Sequence, residues 1–162
     1  MNPMDQPFSV HVTTTTEPLQ FDALDAEYRD ELAEHARAMV DVAKEAFGIE
    51  LDGSRASLEG LERVLAECAE HMEQAGISAA SEQSQMLIAM AGAYLGEVFR
   101  QGTGGQWCTL RAAGPDDGQL SMRTGGDKPA VLLPLTRVTR RLTEGPEFNV
   151  WHYAQTAWTV AD

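Results

Sequence analysis

From Met86 to Leu95 ten successive residues are apolar, small or aromatic. A helix with no polar side has to be covered on most of its faces. Ten residues, followed closely by Glu97 and Arg100, are too few to span a bilayer. The run therefore predicts the central core helix of a globular domain. Ser81 or Ser84 can cap its start, and Gly102-Thr103-Gly104-Gly105 ends it near Gln101. Within it, Gly92 and Gly96 stand one turn apart, and each costs about 1 kcal/mol of helix propensity relative to alanine. Tolerating both implies that a neighbouring helix or strand comes close to the backbone there. Residues 86–99 should thus form a rod wrapped by the rest of the chain.

The surrounding sequence supplies the wrapping. With 162 residues the chain has the length of one domain, long enough to bury about 70% of its unfolded surface. Leu24, Tyr28, Leu32, Met39, Ala43 and Phe47 recur at helical spacing, with Gly48 at a helix stop, which predicts a first helix over 22–47. The turn residues Asp52-Gly53-Ser54-Arg55-Ala56-Ser57 lead into a second helix carrying Leu58, Leu61, Leu65, Cys68 and Met72. That helix is expected to lie antiparallel on the first; the same seam is also a place where two copies of the chain could meet. Short strands follow at Trp107–Arg111, Leu120–Arg123 and Ala130–Leu133, separated by Gly- and Pro-containing turns, and form a meander. Pro134 opens a short basic helix to Leu142, and Asn149 can cap a last aromatic element with Val150, Trp151, Tyr153 and Trp158.

The predicted architecture is α+β: an N-terminal three-helix layer packed on a small antiparallel sheet, with short C-terminal helices. Residues 1–20, which hold Pro3, Pro7, Pro18 and Thr13–Thr16, read as a flexible arm or edge strand, and 21–162 as a single α+β domain. Met1 to Val12 show no basic run followed by an apolar stretch, so a secretory signal is not visible and a cytoplasmic location is expected.

Charge is distributed unevenly. Residues 1–82 hold 18 acidic and 5 basic side chains, whereas 83–162 hold 7 of each, so the whole net charge of −13 lies in the first half. Such a field repels nucleic acid and anionic membranes and steers a basic protein partner toward the chain. On the first helix Asp30, Glu34, Asp41 and Glu45 share one face, offset in part by Arg37 and Lys44. These four carboxylates read either as a solvated face or as the partner-binding surface.

Signatures of common chemistry are missing. The sequence has no Gly-x-Ser-x-Gly, no His-Glu-x-x-His, no phosphate-binding glycine loop with lysine and no Cys-x-x-Cys. Cys68 and His71 have the spacing of half a zinc site, without a second half nearby, and no metal or cofactor is expected. Cys68 and Cys108 read as free thiols, although a disulfide between them is the alternative. His35 and His152 read as partly buried. Gly102–Gly105 follow a helix C-terminus, where the dipole disfavours an anion. Arg137, Arg140 and Arg141 form a basic cluster that can pair with the acidic helices or serve another role. Tyr94 and Glu97 on the core helix, with Trp107 beyond the glycines, make a possible pocket between helix and sheet, since a carboxylate beside a core can act as an acid or base. The plainer reading has Glu97 satisfied by Arg100 or by backbone amides of a facing loop, and Trp107 as a core or rim aromatic.

Gly92-Ala93-Tyr94-Leu95-Gly96-Glu97-Val98, followed by Gly104-Gly105-Gln106-Trp107, resembles a bacterial domain-of-unknown-function family with a Gly-Ala-Tyr-Leu-Gly-Glu-Val helix and a Gly-Gly-x-Trp turn. The likeness covers residues 49–111, from Leu51-Asp52-Gly53-Ser54 onward. It implies a cytoplasmic bacterial protein in which the motif glycines and Trp107 hold a helix against a sheet. The function expected is that of a non-catalytic protein-binding module, in its sharpest form an immunity protein that neutralises a toxin. The alternative is a small-ligand binder or enzyme with a pocket near Glu97. A third reading is a domain that self-associates.

Overall fold

Covering the apolar run takes most of the chain. The structure, a computed structural model, describes residues 11–12, 20–111, 114–115, 117–127 and 129–161. The elements run β1 (His11–Val12), β2 (Gln20–Ala23), α1 (Ala26–Phe47), α2 (Ser57–Ala75), α3 (Glu82–Thr103), β3 (Gln106–Arg111), β4 (Leu120–Arg123), β5 (Ala130–Leu132), α4 (Pro134–Glu144) and α5 (Val150–Ala161), with a short 3-10 turn at Pro146–Phe148 before α5. The fold is α+β, with an antiparallel sheet in the order β1-β5-β4-β3-β2.

Local chemistry sets the helix ends. Asp25 accepts the amide hydrogen of Tyr28 at 2.8 Å and starts α1, and Gly48 ends it in the left-handed conformation with φ +67°. Ser81 caps α3 by accepting from Ser84 N at 3.2 Å, and Asn149 caps α5 by accepting from the amides of Trp151 and His152. The start of α2 is served from outside the helix, where Ser54 Oγ accepts from Ser57 N.

The rod is α3. From Ala91 to Phe99 every residue is buried, Glu97 included. The covered stretch lies closer to the C-terminal end of the helix than the apolar run suggested. Met86 stands 50% exposed, and Leu87 and Met90 are half-buried, because only the second half of α3 passes between other elements. Both glycine notches are filled. A Cβ on Gly92 would come within 2.6 Å of Leu135 Cδ1 and 3.0 Å of Leu135 Cα on α4. A Cβ on Gly96 would overlap the Trp107 ring of β3.

Two features of the layering differ from the sequence reading. The helices are not gathered ahead of the sheet: β2 precedes α1, β3 to β5 lie between α3 and α4, and the sheet is contacted by α3, α4 and α5. Antiparallel packing of the second helix on the first is replaced by another arrangement, in which α1 lies along α3 while α2 lies against α4 and α5. The reason is on the apolar face of α2. Among Leu58, Leu61, Val64 and Leu65 sits the buried Glu62, whose two oxygens accept from Arg141 Nε of α4 at 2.9 and 3.1 Å. Glu62 also accepts from Val150 N, at the start of α5, at 3.0 Å. A buried carboxylate requires such donors, and α4 and α5 provide them.

Of residues 1–20, His11 and Val12 pair with Val131 and Ala130 at one edge of the sheet, and Gln20 opens β2 at the other. Residues 1–10 and 13–19 lie outside the described residues. The segment expected to begin the first helix at 22 is instead strand to Ala23, paired with β3, so α1 starts at Ala26.

Candidate functional site

The loop ahead of α2 is held to α3 by a chain of hydroxyl groups. Gly53 N donates to Tyr94 Oη at 2.9 Å, and Tyr94 Oη lies 2.6 Å from Ser57 Oγ. Ser57 gives its own hydroxyl hydrogen to the Ser54 carbonyl at 2.6 Å, so at the Tyr94–Ser57 contact the tyrosine is the donor. Ser54 donates its amide and hydroxyl hydrogens to Asp52 Oδ1 at 3.0 and 2.6 Å. These bonds, with the hydroxyl's first, hold the Asp52 carboxyl below its ordinary value. Burial pushes the Tyr94 phenol above its ordinary value, so at neutral pH it stays protonated and keeps donating.

Fixing that loop creates a cavity of about 390 Å³ between α1, the loop and α3. Ala33, Ala36, Val40, Leu51 and Val98 form its apolar wall, and Arg37, Asp52, Tyr94, Glu97, Arg100 and Gln101 bring polar groups to it. Glu97, 8% exposed, accepts from Arg100 Nε through Oε2, one turn along the same helix. Its Oε1 has no partner among the described residues. Arg37 makes no ion pair with any described residue.

The structure brings Tyr94 and Glu97 together at this cavity but separates Trp107 from them. Trp107 packs in the notch of Gly96, which points about 200° around the helix from Tyr94 and about 100° from Glu97. The expected pocket between helix and sheet is thus corrected: the sheet side of α3 is closed by Trp107, and the open space lies toward α1. The pairing of Glu97 with Arg100 is as expected, whereas sequence reasoning missed Arg37 and Gly53 as lining the same cavity. Glu97 and Arg100, three residues apart, were the visible signal for one pair.

Asp30, Glu34, Asp41 and Glu45 are all exposed. At 100° per residue they fall within a sector of about 60° over about 22 Å of α1, on the side away from the buried Leu32, Ala36, Met39 and Ala43. Glu27 and Glu31 are exposed beside them.

No protein-family model matches the chain, and no curated protein does. The fold has a counterpart of known structure. A crystal structure of a protein from Bacteroides thetaiotaomicron VPI-5482 matches it with a TM-score of 0.57 and 15% sequence identity, over 89% of this chain and 48% of that one. The chain spans about half the length of that protein, and at this identity the likeness concerns the fold alone.

The remaining sequence candidates do not line this cavity. Cys68 and Cys108 are free thiols, and burial pushes both up to about 11. Among the described residues no three His, Cys, Asp or Glu side chains are grouped to hold a metal ion. His35 is half-buried, whereas His152, expected to be partly buried, is exposed. Thr103 Oγ1 accepts from Gly125 N at 3.3 Å, so the glycine-rich end of α3 seats the loop between β4 and β5. The arginine cluster divides three ways. Arg141 pairs with Glu62, Arg140 with Glu144, and Arg137 lies 4.1 Å from the Tyr153 ring centroid. No helix among the described residues is long and apolar enough to cross a membrane.

Proposed function

We propose that this chain is a non-catalytic protein-binding module of a bacterial cytoplasm that presents the acidic face of α1 to a basic protein partner. In its sharpest form it is an immunity-type protein that neutralises a toxin by covering a basic active site. Kinship with the bacterial family that carries the Gly-Ala-Tyr-Leu-Gly-Glu-Val helix belongs to the same proposal.

The observation that carries the reading is the alignment of Asp30, Glu34, Asp41 and Glu45 on the solvent side of a helix whose opposite side is spent on α3. Four like charges in one row repel one another and contribute nothing to the core, which suits a surface completed by opposite charge. Arg37 and Lys44 on the same helix offset the row only in part, and Arg137, Arg140 and Arg141 are engaged elsewhere. A field of this sign speeds encounter with a basic protein and disfavours nucleic acid and anionic membranes.

The test compares the wild-type chain with a variant carrying Asp30→Lys, Glu34→Lys, Asp41→Lys and Glu45→Lys as baits in extract of the native cell. Wild type should recover a basic protein at low salt and release it as salt rises, and the variant should recover none of it. Equal recovery of that protein by both, or none by either, would overturn the proposal.

A further inference from the structure

The cavity beside Glu97 opens next to the acidic face, which Arg37 borders, and has an unusual set of charged groups. Glu97 is buried at its wall, with 11% of its side chain exposed. Arg100 fixes only Oε2, through Nε, so one carboxylate oxygen and the Nη donors of Arg100 are left without described partners. Arg37, exposed, lines the same cavity from α1 and makes no ion pair with any described residue. Tyr94 is not available, because its one hydrogen goes to Ser57 and its oxygen accepts from Gly53. What the cavity offers is therefore a guanidinium donor set beside a single carboxylate acceptor, with an apolar wall of Ala33, Ala36, Val40, Leu51 and Val98.

An anion alone would be set beside Glu97 and the surrounding acids, and a cation alone beside Arg37 and Arg100. A molecule carrying both charges a short distance apart suits both signs, since guanidinium binds carboxylate by paired hydrogen bonds and carboxylate binds ammonium. The volume, about 390 Å³, lies at the small end of ligand cavities, which run roughly 300–1,000 Å³. We propose that this cavity binds a small zwitterion, a free α-amino acid with an apolar side chain. Its carboxylate meets Arg37 and Arg100, its ammonium meets Glu97, and its side chain lies on Val40, Leu51 and Val98. Arg100 and Glu97 hold each other in place, as the two halves of a site for a bipolar ligand should.

Calorimetric titration of the full chain with L-leucine, L-methionine and L-phenylalanine tests this. At least one should bind saturably. N-acetylation, which removes the ammonium, and amidation, which removes the carboxylate, should each weaken it by at least roughly tenfold. Glu97→Gln and the exposed Arg37→Ala should each do the same, while Gln155→Ala, exposed on α5, should leave binding unchanged. Arg37→Ala and the ligand derivatives keep the test open if Glu97→Gln fails to fold. Saturation by none of the three amino acids, equal binding of the N-acetyl derivative, or unchanged affinity in Arg37→Ala would overturn the proposal.

Discussion

Trp107 lies with its six-membered ring in the space that a side chain on Gly96 would fill, 2.9 Å from the position of a Cβ at the Cζ3 atom and closer still at its neighbours. The indole is 3% exposed, so it has no solvent to retreat into. Gly96→Ala should destabilise the protein by about 1–3 kcal/mol, the usual cost of overpacking, despite the better helix propensity of alanine. Urea unfolding measures it. Combining the change with Trp107→Leu should give a non-additive cycle, with part of the loss recovered. Additive losses would mean that the two residues do not interlock.

Tyr94 is the latch of the loop ahead of α2. Removing its hydroxyl in Tyr94→Phe leaves the Gly53 amide without an acceptor and Ser57 Oγ without a donor. The cost should be about 1–3 kcal/mol. Faster hydrogen exchange at Gly53, with little change along α1, would place the loss at the loop. Unchanged exchange at Gly53 would contradict the role.

Glu62 and Arg141 form a buried pair joining α2 to α4, and Glu62 also holds the first amide of α5. Glu62→Ala should cost about 3–5 kcal/mol, because it strands a buried guanidinium. Replacing both partners with Leu and Met should recover much of that loss. Thermal unfolding of the three variants distinguishes the outcomes.

Burial also sets an alkaline limit. Cys68 and Cys108 each titrate near 11 in the fold, against 9.0 for an ordinary thiol. Their folded values are raised, so the stabilisation is complete below pH 9 and is lost as pH climbs through about 11. Tyr94 and Tyr153, also pushed up by burial, add to the decline above 10. Stability should be level from neutral pH to 9 and then fall, and the fall should be shallower in Cys68→Ala with Cys108→Ala. An equal slope in that variant would sink the assignment.

The parts of this fold legible in the sequence are those governed by local pattern. The Met86–Leu95 run has no polar side, so a covered helix follows from it, and the cost of Gly92 and Gly96 implies close neighbours. The row from Asp30 to Glu45 is visible in its spacing. Other features depend on contacts distant in sequence. Nothing near Leu58 says that α2 turns to α4 and α5, because the partner of Glu62 lies 79 residues away. The latch joins residues 41 apart. Closeness in the chain sets Trp107 beside Glu97, but the helical angle of Gly96 directs it to another side, where it is the core aromatic that the sequence also suggests. Gln20–Ala23 joined the sheet rather than α1 because β3 offers them an edge.

Both proposed surfaces are mounted on α3, which carries α1 along one flank and the Tyr94 latch on another. Native-state hydrogen exchange tests that arrangement most directly. The amides of Ala91 to Phe99 should exchange only through global unfolding, with an opening free energy equal to that measured by denaturant, while those of the Met86 end open more easily. Exchange of residues 91–99 by local opening well below the global free energy would contradict a buried, rigid α3 and the placement of everything built on it.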